Sequence, residues 1–186
     1  MARYTDPAEA QLIQPYLIEI GKVVAEWNDL HEALGELFGV ILYPNEAIPR
    51  KAWAVWYSTS NDRSQRQMLK RASEAWFDGD IAKKYPAASE DIKWICDRAD
   101  ALSDARNNAV HAPLTFDRTD PNEAKVVTAD FFGHPRAKRL SGKDLSAEFK
   151  WIAESAAALK LFAIQIAHAL QFPEQWPKRP DLPKRE

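Results

Sequence analysis

Residues 15–42 read PYLIEIGKVVAEWNDLHEALGELFGVIL. Leu17, Ile20, Val24, Trp27, Leu30, Leu34, Leu37, Phe38 and Ile41 recur at steps of three and four, which is one face of a long helix. Pro15 suits the first turn of that helix and Pro44 follows its end. Outward from it the same period continues. A short second helix is expected over Glu46–Ser58, carrying Ile48, Ala52, Val55 and Trp56. Asn61 and Asp62 offer caps for a third over Asp62–Phe77, closed by the Asp78-Gly79 turn signal. A fourth runs from Ala87 to His111, with Ile92, Ile95, Ala99, Leu102, Ala109 and Val110 as its inward stripe.

The period is lost between Pro113 and Lys143. LTFDR, the turn TDPNE and KVVTADFF read as a β-hairpin, with RAKRL as a third short strand. Asp144 caps a last long helix reaching Gln171, striped by Leu145, Phe149, Ile152, Ala156, Leu159, Ala163, Ile166 and Leu170. The expected fold is all-α. It is an up-and-down bundle of about five helices in residues 1–171, with a β excursion at 113–143 before the last helix. Residues 172–186 hold four prolines in their last 14 positions, so an extended tail is expected there, ordered if Trp176 docks.

Composition narrows the function classes. The chain has 186 residues, 46% apolar and 28% charged, as a soluble globular domain has. Against 25 basic residues stand 27 acidic ones, a net charge of −2, so nucleic-acid binding would need a local patch. The single Cys96 excludes an internal disulfide and a cysteine zinc cluster. MARYTDPAEA lacks a signal pattern, and no run of about 20 apolar residues is seen, so a cytoplasmic protein without a membrane span is expected. No cofactor is expected. His134 and His168 have no ligand spacing with another histidine or with Cys96, so no metal is expected either. The seven tryptophans are read chiefly as core, since Trp27, Trp94 and Trp151 lie on long helices.

Polar residues interrupt the fourth helix. Measured from Ala99 at the stripe's centre, Arg106 falls about 20° away, on the next step of the inward row. A guanidinium keeps its charge, and burying it unpaired costs several kcal/mol, so a carboxylate, a partner subunit or a phosphate must answer it. Asn107 flanks the stripe. His111 lies one turn beyond Asn107, in the helix's last turn, because Pro113 disfavours helical geometry at Ala112. Such a set suits phosphodiester cleavage, with arginine holding phosphate and histidine moving protons. It suits equally a buried ion pair, a histidine C-cap and a helix-end amide.

The string Arg106-Asn107-Asn108-Ala109-Val110-His111 resembles the R-(N/D/H)-x-x-x-H signature of the HEPN superfamily, in its form with four residues between Arg and His. Its setting, late in a helix and before an irregular segment and another long helix, is similar too, as is the opening WNDLHEALGELF. The resemblance implies a helical bundle acting as a homodimer, with two motif helices facing across one cleft. It also implies a metal-independent endoribonuclease with Arg106, Asn107 and His111 as catalytic residues, possessing an RNA substrate and an antitoxin or other protein partner. Many HEPN proteins without nuclease activity keep the fold, so an interaction or RNA/nucleotide-binding protein stands beside that reading. Where relatives often carry an acid one turn after the helix-one tryptophan, this chain has His31, with Glu32 beside it. Arg63, Arg66 and Lys70 on helix three, and Arg136, Lys138, Arg139 and Lys143 in the excursion, are the candidate RNA contacts. Phe116, Phe131 and Phe132 could stack bases, or pack the hairpin onto the bundle.

Overall fold

A computed structural model describes residues 6–43, 49–76, 83–120, 123–130, 133–172 and 175–185. Pro44, Ile48, the end of helix three at Phe77, the Asp78-Gly79 turn, the hairpin tip at 121–122 and the Phe131-Phe132 pair lie outside the described residues. Among the described residues six helices and one hairpin follow in order: α1 Pro7–Leu42, α2 Arg50–Trp56, α3 Asp62–Trp76, α4 Ala88–His111, β1 Leu114–Asp120, β2 Glu123–Thr128, α5 Pro135–Leu140 and α6 Leu145–Gln171.

α1 starts eight residues before the proline expected to open it. Asp6 accepts a hydrogen bond from the Ala8 N–H at 2.9 Å, and Pro7 takes the first turn instead. Pro15 is carried inside the helix. Ile13, 2% exposed, anchors the added turns in the core, which offsets the backbone bond that Pro15 cannot make. Leu17, placed on the inward stripe by its spacing, is half exposed.

Side-chain pairs give the helix directions. Trp27 meets Asp62 and His31 meets Gln65, so α1 and α3 run the same way. Arg66 meets Asp100 while Lys70 reaches back to Asp97, so α4 opposes α3. The short α2 packs against α1 over two glycines and makes the return crossing. The most extensive packing is α1 against α6. Trp27, Leu30, Leu34, Leu37 and Ile41 from α1, with Phe149, Ile152, Leu159, Phe162 and Ile166 from α6, form the centre of the core. By length and composition α6 is apolar enough to cross a bilayer, and 56% of its most apolar stretch is buried inside the bundle.

The α1–α2 contact is close enough to test. A Cβ on Gly39 would lie 2.5 Å from Pro49 Cγ, and one on Gly35 would lie 2.9 Å from Trp56 Nε1. Gly39→Ala is expected to lower stability by about 1–3 kcal/mol through overpacking. An unchanged urea midpoint would show that α2 can lift off without cost.

The excursion differs from its expected form in one part. β1 and β2 pair antiparallel, with Leu114 opposite Thr128 and Phe116 opposite Val126. RAKRL is not a strand but most of α5. Ala137 and Leu140, three apart, are both buried, and the His134 side chain caps the helix at the Ala137 N–H. Gly133 and Gly142 flank α5 with φ of 73°, the left-handed conformation that lets the chain turn in and out of so short a helix.

The tail docks. Asp91, 4% exposed in the first turn of α4, accepts from Trp176 Nε1 at 2.7 Å and from Arg179. Trp151 Nε1 donates to the Pro183 carbonyl at 3.0 Å, and Arg185 pairs with the buried Glu148. Residues 175–185 are thus extended and held along α4 and α6.

Candidate functional site

Arg106 sits on α4 where that helix crosses α1 and α3. The buried step between Leu102 and Ala109 is taken by Ala105, and Arg106 lies half-buried on the flank rather than on the seam itself. Its guanidinium carbon is 5.4 Å from the centre of the Trp27 ring, and Nη1 donates to Asn107 Oδ1 at 2.9 Å. Nε is buried without a hydrogen-bond partner. Among the described residues no carboxylate lies within ion-pairing distance of it. Desolvation lowers its proton affinity, Asp62 opposes that, and the positive charge of Arg136 on α5 adds to it. The group remains charged at ordinary pH, so the site holds a cation with too few partners.

Beneath it lies a polar network that sequence reasoning missed. Trp27, 1% exposed, donates through Nε1 to Asp62 Oδ2 at 3.0 Å. A second guanidinium, that of Arg66, is 5.6 Å from the same ring. Arg66 is itself 1% exposed and donates from Nε to Asp100 Oδ1 at 2.8 Å.

His31 completes the network, and its tautomer follows from its neighbours. Gln65 Nε2 donates to the carbonyls of Trp56 and Thr59, which turns Oε1 toward His31 Nδ1 at 3.3 Å. Nδ1 therefore carries the hydrogen, and the Nε2 lone pair accepts from Arg66 Nη1 at 2.9 Å. Asp62 Oδ2 stands 3.7 Å from Nε2. Burial is the largest influence on His31 and lowers its pKa; Asp62 and Gln65 raise it, Arg66 and Arg106 lower it, and the net direction is down from 6.5. The unfolded chain thus binds the proton more readily than the folded one, and stability rises with pH. The contribution is complete above 6.5 and is lost as pH falls from there toward the folded value. Urea midpoints of the wild type are expected to fall between pH 7.5 and 5.5, with a smaller fall in His31→Asn. Equal slopes would place the titration elsewhere.

Glu32, the other acid considered on helix one, is exposed and accepts from the Tyr57 hydroxyl at 2.5 Å. The carboxylate that meets Trp27 in this network is Asp62, supplied by the first turn of α3. Its only sequence signal was its place as a helix cap, shared with many structural aspartates.

Beside Arg106, the start of α3 and the last turns of α4 enclose an open polar cleft of about 430 Å³, lined by Asn61, Asp62, Arg63, Asp100, Asp104 and Asn107 among others. His111 is exposed in the last turn of α4, and the helix ends at an extended Ala112, as Pro113 requires. Around the helix, His111 is about 40° from Asn107 and about 140° from Arg106. Arg106 Nη1 bonds Asn107, which stands between the two around the helix. No family model, curated protein or solved structure matches this chain.

The candidate RNA contacts divide sharply. Arg63 is exposed and lines the cleft. Arg66 and Lys70 are not a solvated basic edge: Arg66 is buried, and Lys70 donates to Asp97 at 2.6 Å and to Asp100 at 3.2 Å. Both face the bundle because α4 carries the answering aspartates one turn apart. Arg136 is half-buried near Arg106, and Lys138 and Arg139 are exposed on α5. Lys143 lies 3.5 Å from the buried Glu148. Phe116 is partly buried and packs against the core. Cys96 is fully buried and its thiol is pushed up to about 12 by that burial, which makes it a poor nucleophile.

Proposed function

We propose that this chain is a metal-independent endoribonuclease acting as a homodimer, as the resemblance of Arg106–His111 to the HEPN signature implies. The observation that supports it is the state of Arg106. Its guanidinium is desolvated, braced by Trp27 and Asn107, and missing a partner at Nε. A phosphodiester bound at the outer nitrogens of the guanidinium would supply the counter-charge it lacks. Arg106 would bind the scissile phosphate and offset charge in the transition state. Asn107 would fix the orientation of Arg106. His111, open to solvent, would take the proton from the ribose 2′-hydroxyl or return one to the departing 5′-oxygen, leaving a 2′,3′-cyclic phosphate. Arg63, Arg136, Lys138 and Arg139 are the basic groups free to follow the backbone on either side.

The test is incubation of the purified full chain with single-stranded RNA in excess chelator. Cleavage to fragments with 2′,3′-cyclic phosphate ends is expected, from a species of dimer mass by light scattering. His111→Ala should slow it by about 10²–10⁴-fold, the usual worth of a general acid or base. RNA that stays intact across varied sequences would exclude the enzyme reading, and RNA bound but uncut would favour a non-catalytic binding protein.

A further inference from the structure

A second hollow lies away from Arg106, between α4, α6 and the docked tail. Its volume is about 250 Å³. Leu102 from α4, Trp151 and Leu159 from α6 and Leu182 from the tail give it apolar walls, and Arg98 and Arg185 are its charged lining. Among the described residues no aspartate or glutamate lines it.

The two arginines are not equivalent. Arg185 is already answered: it donates to Glu148 at 2.9 Å and lies over the Trp151 ring at 4.8 Å. Arg98 is exposed, rests 5.7 Å from the centre of the Trp94 ring, and among the described residues has no carboxylate within ion-pairing distance. Trp151 Nε1 is committed to the Pro183 carbonyl, so the indole offers an occupant its face and no donor. An occupant must therefore be apolar along most of its length and anionic at the end that meets Arg98.

Size narrows it further. A closed apolar cavity of about 150 Å³ holds benzene. The hollow here has room for one ring and a short acid arm. We infer that the seam beneath the C-terminal tail is a binding site for a small arylalkyl carboxylate, its ring against Trp151 and Leu182 and its carboxylate on Arg98. Because the tail forms one wall, such a ligand binds only the docked tail and holds it in place. This inference is independent of any action on RNA.

The experiment titrates the full chain with 3-phenylpropionate and, separately, with the uncharged 3-phenylpropanol. The readout is the indole N–H resonance of Trp151, assigned by its loss in Trp151→Phe. A saturable shift with the acid is expected, at least tenfold weaker with the alcohol. Arg98→Gln, at an exposed position, should weaken the acid by tenfold or more and leave the alcohol unchanged. Leu182→Arg, which replaces a wall with a second long cationic chain, should abolish the ring's contribution for both probes. The absence of a saturable shift, equal binding of acid and alcohol, or an acid titration indifferent to Arg98→Gln would each overturn the inference.

Discussion

Asp100→Ala is expected to lower the stability of the bundle by about 3 kcal/mol, at the lower end of what breaking a buried ion pair costs. The size follows from what remains. Arg66, 1% exposed, would keep its charge and lose both contacts to Asp100 Oδ1, retaining only the neutral His31 Nε2 as acceptor. Lys70 would keep Asp97. Asp100 is 20% exposed, so water reaches the vacated position and trims the loss below that of a sealed pair. The cost lies in stranding the guanidinium rather than in losing attraction, so Arg66→Met combined with Asp100→Ala should recover most of it. A urea midpoint unchanged in the single variant, or lower still in the double, would contradict this account. The acid limb carries the same signature. Burial disfavours the Asp100 carboxylate, yet Arg66 and Lys70 outweigh burial and hold its pKa below 3.8. Its stabilisation is therefore present above 3.8 and lost as pH falls through the folded value.

This network also shows why parts of the molecule were legible in the sequence and others not. Helix period and caps located α1, α3, α4 and α6, because most of the apolar residues at steps of three and four are buried in fact, and the loss of that period located the hairpin. Asp144 caps α6 as its position implied, accepting from the Ala147 N–H at 3.0 Å. What failed was local chemistry overruled by tertiary contact. Pro15 read as a start, but Ile13 had a core to enter. RAKRL read as a strand in a region without period, but Ala137 and Leu140 needed one buried face and found it with a single turn of helix. The basic edge Arg63, Arg66 and Lys70 is one stripe in projection. Only the approach of α4, with Asp97 and Asp100 on the facing turns, separates the exposed Arg63 from its paired neighbours. His31 stood out only as the residue in the place of an expected acid, since its partners Gln65 and Arg66 lie 34 and 35 residues away. Arg106, put on the inward seam by its spacing, flanks that seam instead, and Ala105 fills it.

Arg106→Met should separate the cost of that residue to the fold from its service to a ligand. In the free protein Arg106 gives the bundle a stacked guanidinium over Trp27, worth about 0.5–1 kcal/mol, and one bond to its neighbour Asn107. Against this stands a buried, unpartnered Nε, which costs about 1–3 kcal/mol. Methionine keeps a long apolar stem against Trp27 and removes the unsatisfied donor. The variant is expected to unfold at an equal or higher urea concentration than the wild type, by about 1 kcal/mol, while RNA cleavage falls at least 10²-fold, as when a single transition-state donor is lost. Stability surrendered at a site is what a group held for a ligand should show, because the compensating partner arrives only with binding. Arg106→Met that loses 2 kcal/mol or more would instead make Arg106 a structural member of the Trp27 network. Adding inorganic phosphate sharpens the distinction: the wild type should gain midpoint with concentration and the variant should not, since only a protein with an anion site is stabilised by mass action.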